Sequence, residues 1–260
     1  MINERQARIR DILFDRGELS VNELTSKLGA SLATVRRDLK ELEEAGIVVR
    51  MHGSARIAAE AQAEVAFSAR EQQNLEAKRA LASAAAEHVR EGSTIFLDAG
   101  TTILQLARKI KHAKFPITIF TNGMIVAQEL ADAEHVTLCL LGGRMRAQNM
   151  SMVGPLAEAM LENLHFDQLF LGASAISDDG WITSYDADES RANLQMSKRA
   201  RETFVLADAS KFADRATYSV LRLSDEVNLI TNTQPNAAFT SYAQDANVNV
   251  TIADGGAGNG

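Results

Sequence analysis

Residues 20–53, SVNELTSKLGASLATVRRDLKELEEAGIVVRMHG, carry the pattern that decides the fold of the first part of this chain. Ser20 and Glu23 have the spacing of a capping box, and Leu19 and Leu24 that of a hydrophobic staple, so a helix is expected from about Val21 to Leu28. Gly29 supplies a tight turn, and Ser31 caps a further helix that stops at Gly46. In that helix Leu32, Val35, Leu39 and Leu42 fall on one stripe, which is expected to pack inward. At about 100° per residue, Thr34, Arg37 and Lys40 then project from the opposite side, with Arg36 on the flank. A short helix, a glycine turn and a capped helix with a basic outer face make a helix-turn-helix. Its second helix meets base edges in the major groove of double-stranded DNA with its N-terminal residues.

Outward from this stretch the pattern continues. On the N-terminal side, Ile9, Ile12 and Leu13 recur at helical spacing between about Glu4 and Arg16, and Gly17 is a stop. On the C-terminal side, Ile47–Met51, the turn His52-Gly53-Ser54 and Ala55–Ile57 read as a β-hairpin, the wing of a winged helix. Arg37 and Thr34 are the expected base readers, since arginine bonds guanine bidentately. Arg36, Lys40, Arg50 and His52 are expected on phosphates, and Ser31 at the helix tip can serve either.

Bulk charge argues against a nucleic-acid partner, because the 260 residues carry a net −7. The distribution points the other way: residues 1–57 hold ten Lys/Arg against nine Asp/Glu, and the remainder 17 against 25. A near-neutral head with local basic clusters on an acidic body fits a molecule in which only the head touches DNA. It also argues against an architectural DNA coat, which needs a strongly basic chain. The single cysteine, Cys139, precludes an intrachain disulfide or thiolate cluster, and no apolar run approaches a membrane span. With a polar, charged N-terminus, these features lead us to expect a cytoplasmic protein without a membrane partner. The five histidines, 52, 88, 112, 135 and 165, show no paired spacing, so neither a metal nor another cofactor is expected.

Residues 58–73, rich in Ala, Glu and Gln without a clear stripe, read as a linker. From about Asn74 an Ala-rich helix opens a second domain, expected over 74–254. In it the β-type runs 94–97, 117–120, 136–141, 168–171, 204–206, 227–230 and 248–252 alternate with helical segments. Such alternation implies an α/β domain with a mostly parallel sheet. The Gly-rich residues 255–260 have nothing to bury and are expected to be disordered.

Ligands of such sheets bind at strand C-termini beside helix N-termini. Three polar clusters fall there: Asp98-Ala99-Gly100-Thr101-Thr102, Thr121-Asn122-Gly123, and Gly142-Gly143-Arg144. None is a Walker loop, but free N–H groups, hydroxyls and close-approach glycines suit a phosphate.

The run Thr34-Val35-Arg36-Arg37-Asp38-Leu39, followed by Leu42-Glu43, Gly46, Arg50 and His52-Gly53-Ser54-Ala55, resembles the N-terminal signature of the DeoR family of bacterial regulators. Ser54 stands where that family usually has a second glycine. The likeness extends through FLDAGTT (96–102), TNG, LLGGRMR, Met152–Pro155, Phe166–Gly172 and LADASKF (206–212), almost the full chain. It implies a sensor domain similar in fold to ribose-5-phosphate isomerase, and a phosphorylated sugar or polyol effector. The effector would be surrounded by Asp98, Gly100, Thr101, Thr102, Thr121, Gly142, Gly143, Asp208 and Lys211. Asn122 of the TNG turn and Glu189 join that set, while Asn193 stands where the family commonly has a lysine.

Two functions compete on these residues. One is a repressor of a sugar or polyol catabolic operon, acting as a homodimer or homotetramer because a single winged helix covers only a half-site. The other is a sugar-phosphate isomerase or deaminase carrying an accessory DNA-binding head, with acid/base groups among Asp98, Asp186, Asp188, Glu189, Asp208 and Lys211.

Overall fold

A computed structural model of the chain describes residues 2–51, 53–58, 61–212 and 215–253, so His52 and the tail 255–260 lie outside the described residues. The chain divides into two compact units, Met1–Gln73 and Asn74–Gly260.

The first unit contains α1 (Glu4–Arg16), β1 (Leu19–Ser20), α2 (Val21–Leu28), α3 (Leu32–Glu44), β2 (Val48–Met51), β3 (Ser54–Ile57) and α4 (Gln62–Gln72). The expected capping box forms: the Glu23 N–H donates to Ser20 Oγ at 3.2 Å and the Ser20 N–H to Glu23 Oε2 at 2.8 Å. Asn3 and Gln6 make a second one at the start of α1. Gly29, at φ +63°, turns the chain between α2 and α3. The wing is a three-stranded antiparallel sheet in the order β1-β3-β2, with Leu19 opposite Ala55 and Ser20 opposite Ser54. Ser54 is an ordinary strand residue whose Oγ donates to Glu18 Oε1 at 2.6 Å, so only Gly53, at φ +81°, needs glycine here. Within residues 58–73, expected as a linker, α4 buries Val65 in the core of this unit. One such anchor sets up no visible stripe in the sequence.

The inward face of α3 differs from the stripe read off the sequence. Val35, Leu39 and Leu42 are fully buried, but Leu32 is 37% exposed. The fourth inward position is Asp38, 1% exposed, which completes the spacing 35, 38, 39, 42. A lone buried carboxylate is strongly unfavourable, and here Arg5 of α1 neutralises it bidentately, with Nε 2.5 Å from Oδ2 and a terminal nitrogen 3.0 Å from Oδ1. Beside it the Gln6 amide donates to Glu41 Oε2. These contacts clamp α3 to α1 and so determine which face of α3 looks outward.

The second unit contains α5 (Leu75–Ala86), β4 (Thr94–Leu97), α6 (Thr101–Lys111), β5 (Ile117–Thr121), α7 (Met124–Leu130), β6 (Val136–Leu140), β7 (Arg144–Arg146) and β8 (Ser151–Val153). It continues through α8 (Pro155–Leu161), β9 (Phe166–Gly172), β10 (Ala175–Ile176), β11 (Trp181–Ser184), α9 (Ala187–Arg199), β12 (Ala200–Ala207), β13 (Tyr218–Arg222), β14 (Val227–Thr231), α10 (Ala237–Asp245) and β15 (Asn249–Ile252). The seven expected strands form one parallel sheet in the order β15-β14-β12-β9-β4-β5-β6. From β4 the chain moves outward through β5 to β6, then returns to β9 on the other side of β4 and moves outward again. Right-handed crossovers therefore lay α6 and α7 on one face and α8, α9 and α10 on the other. The sheet carries the core, with Phe96, Phe166, Phe170 and Phe204 fully buried along β4, β9 and β12. The antiparallel trio β10-β11-β13 and the hairpin β7–β8 are additions to this sheet.

Arg5→Ala strands Asp38 as an uncompensated buried carboxylate, whereas Asp38→Ala leaves a guanidinium that reaches water. Amide hydrogen exchange in α1 and α3 of the full chain is therefore expected to rise more in Arg5→Ala than in Asp38→Ala; equal rates in the two variants contradict the clamp.

Candidate functional sites

The outer face of α3 presents Arg36, Arg37 and Lys40, all exposed. Among the described residues neither Arg36 nor Arg37 has an ion-pair partner, while Lys40 lies 3.6 Å from the exposed Glu44. The Thr34 hydroxyl lies 2.8 Å from Ser31 Oγ, which also accepts the Thr34 N–H, so both hydroxyls are engaged in the cap. That leaves Arg36 and Arg37 as the free polar reach of the helix. Arg50 is held to Glu43 of α3, by its N–H at 3.2 Å and its guanidinium at 3.5 Å, which ties the wing to the end of the helix. The same pairing reduces the charge Arg50 offers to phosphate.

In the second unit, the strand order reverses between β4 and β9, and open sheets bind ligands at that place. Asp98 follows β4 directly and is 4% exposed. Its N–H donates to the Phe170 carbonyl at 3.0 Å, and its Oδ2 accepts the Gly172 N–H at 3.3 Å. Burial, with the nearby Glu189 charge adding to it, drives the Asp98 pKa well above the ordinary carboxylate range, more than these backbone donors lower it. Gly100, at φ +129°, is the N-cap of α6, and no side chain caps that helix. The first N–H groups of α6, on Thr101 and Thr102, thus open beside this buried acid.

Glu189, near the start of α9, is brought to the same place. Its carboxylate accepts from Asn149 at 2.8 Å and from Ser184 Oγ at 2.7 Å, with Arg146 3.8 Å away. Arg146 also lies 3.1 Å from Asp186, the α9 cap. One strand over, at the end of β12, Asp208 Oδ1 accepts from Ser210 and, at 3.2 Å, from Asn74. Its Oδ2 is buried without a partner among the described residues, and Lys211, three residues on, is partly exposed.

The other expected residues have different surroundings. Thr121, fully buried at the end of β5, accepts the Gly123 N–H, and Asn122 straps three segments together through Ala99 N–H at 3.0 Å and both backbone groups of Met152. Gly142 and Gly143 follow the edge strand β6, two strands from β4. A Cβ on Gly143 would come within 2.9 Å of the Val153 carbonyl, so its glycine is needed for the hairpin β7–β8. A hollow of about 1040 Å³ lies at the opposite ends of the strands, lined by Arg90, Asp167, Arg201 and Glu202, where Arg90 pairs with Glu202 at 3.0 Å and Arg201 with Asp167 at 3.7 Å. Arg146, Asn149, Ser184 and Asn74 were not anticipated from sequence; only Arg146 stood in a recognisable motif, LLGGRMR.

A neutral buried Asp98 has a stability signature. The unfolded chain ionises this group near pH 4, while the folded chain holds the proton, so Asp98 lowers stability as pH rises from about 4 to its raised pKa. Asp98→Asn removes that slope. The difference in melting temperature, variant minus wild type, is expected to grow from pH 4 to pH 7; a constant difference contradicts the buried neutral acid.

Residues 5–61 match the DeoR-like helix-turn-helix domain family, and residues 73–233 the DeoR C terminal sensor domain family. The HTH-type transcriptional regulator GlpR of Haloferax volcanii is 36% identical over 97% of this chain and 97% of its own length. The HTH-type transcriptional repressor CsqR of Escherichia coli is 31% identical over 96% and 95%, and the lactose phosphotransferase system repressor of Streptococcus mutans 35% identical over 89% and 92%. Among solved structures, ribose 5-phosphate isomerase A of Methanocaldococcus jannaschii matches 54% of this chain and 55% of its own at 17% identity and a TM-score of 0.41, which says nothing about activity. The relatives that align over nearly the whole chain are named regulators, and the isomerase-or-deaminase reading falls away with that. The chain is a DNA-binding transcriptional regulator of the DeoR family, with a helix-turn-helix head and a C-terminal sensor domain.

Proposed function

We propose that this regulator represses a sugar or polyol catabolic operon in the cytoplasm. A phosphorylated sugar or polyol, bound at the C-terminal ends of β4, β9 and β12, changes its affinity for the operator. The observation that carries this reading is the uncapped start of α6 beside the buried Asp98, at the reversal of the strand order. Helix N–H groups favour an anion, Lys211 adds a point charge, and Asp98 with Glu189 offers a donor and an acceptor for ligand hydroxyls. The lactose phosphotransferase system repressor among the relatives is named for a sugar system, which supports the same class of signal. Ligand binding changes DNA affinity only through different affinity for DNA-competent and DNA-incompetent states. A homodimer or homotetramer supplies the paired heads that two half-sites need. In each head Arg37 is the base reader, and Arg36 and Lys40 bind the backbone.

Two measurements test the two halves of this reading. Fluorescence anisotropy with the chain's own promoter fragment, across a panel of sugar and polyol phosphates, is expected to give a shift of about 5- to 150-fold for one of them. Its unphosphorylated counterpart should give none. Lys211→Ala should blunt that response while leaving effector-free DNA affinity as it was; indifference to every phosphate in the panel contradicts the sensor reading. For the head, Arg37→Ala should lose about 1–3 kcal/mol of preference for promoter over random DNA. Lys40→Ala should weaken both DNAs alike and flatten the salt dependence. An unchanged preference in Arg37→Ala contradicts the docking of α3.

A further inference from the structure

We infer that Leu32 is a specificity-determining residue that recognises a thymine methyl group in each operator half-site. The inference rests on α3 being the helix that enters the major groove. Leu32 is the first residue of α3, directly after its cap Ser31, and it is 37% exposed where Leu39 and Leu42 of the same helix are fully buried. Leu32 stands in the first turn of the helix, at the edge of its buried face, while Asp38, held by Arg5, takes the fourth inward place.

The surroundings say what an outward leucine meets there. Ala33 beside it is exposed, and Arg36, four residues on and therefore on the same side of the helix, is exposed and without an ion-pair partner among the described residues. The charged neighbours favour any DNA through its phosphates. A leucine gains nothing from phosphate, nor from the donors and acceptors of guanine, cytosine and adenine. The C5-methyl of thymine is the one apolar group on the major-groove edge of a base pair. Beside the Ser31 and Thr34 hydroxyls of the cap, the tip of α3 therefore carries an apolar reader next to two arginines.

The test uses the full chain and a duplex selected from a random pool for tightest binding. Each thymine of that duplex is replaced in turn by uracil, which differs only in lacking the methyl group. Wild type is expected to bind about fourfold more weakly when one particular thymine of each half-site is replaced, the effect of one buried methyl group. In Leu32→Ala the thymine-to-uracil ratio at that position should fall to one, while other positions keep their wild-type ratios. Alanine is a better helix former than leucine, and an unchanged salt dependence on random DNA checks that the variant head is intact. If Leu32→Ala keeps the wild-type ratio everywhere, or if wild type distinguishes thymine from uracil nowhere, the assignment of Leu32 is overturned. A pool that yields no preferred sequence overturns the groove reading of α3 itself.

Discussion

The sensor unit depends on the chain's return from β6 to β9 across β4. This return splits the crossover helices between the two faces of the sheet and leaves a crevice where β4 and β9 end side by side. Everything chemically distinctive in the unit is arranged around that crevice. Asp98 is held in it by the Gly172 N–H, α6 starts in it without a capping side chain, and the extra strands β7, β8 and β11 bring Arg146, Asn149 and Ser184 to orient Glu189 across from Asp98. Burial, with the Glu189 charge adding to it, holds the Asp98 pKa well above the ordinary carboxylate range.

A buried carboxyl also organises the head, by the opposite solution. Asp38 meets a guanidinium where Asp98 meets another carboxylate. The Arg5–Asp38 pair ties α3 to α1 and goes with a fixed rotation of α3 about its own axis, Arg36, Arg37 and Lys40 outward. In this orientation α3 buries no lysine or arginine, and Glu43 holds the wing through Arg50.

Much of this was legible in the amino-acid order. The caps at Ser20 and Ser31, the turn at Gly29 and the hairpin after Gly46 are local signals with local causes, and they appear where the residues put them. All seven strands of the parallel sheet were visible as apolar β-type runs, most plainly the central strands β4, β9 and β12, whose residues are largely buried. Three features were not visible. Asp38 was no part of the inward stripe read from sequence, since the partner that lets it be buried lies 33 residues away in α1. Strands β7, β8, β10, β11 and β13 are two to five residues long and mixed in polarity, too short for periodicity to show. Glu189 could be aligned with a family position, but its approach to Asp98 is set by the crossover after β9. Gly143 and Asn122, expected near the effector, also have structural work in the packing of β7–β8 and the strap to Ala99, which the sequence did not show.

In the proposed mechanism, one ligand equilibrium in the sensor unit and one DNA equilibrium in the head are coupled. Coupling of this kind is reciprocal by thermodynamic necessity. The most direct measurement is calorimetric titration of the phosphorylated effector into the full chain, once free and once saturated with operator DNA. Reciprocity predicts that the two effector affinities differ by the same factor, and in the same sense, as the effector alters DNA affinity. Identical effector affinities with and without operator would contradict the coupling.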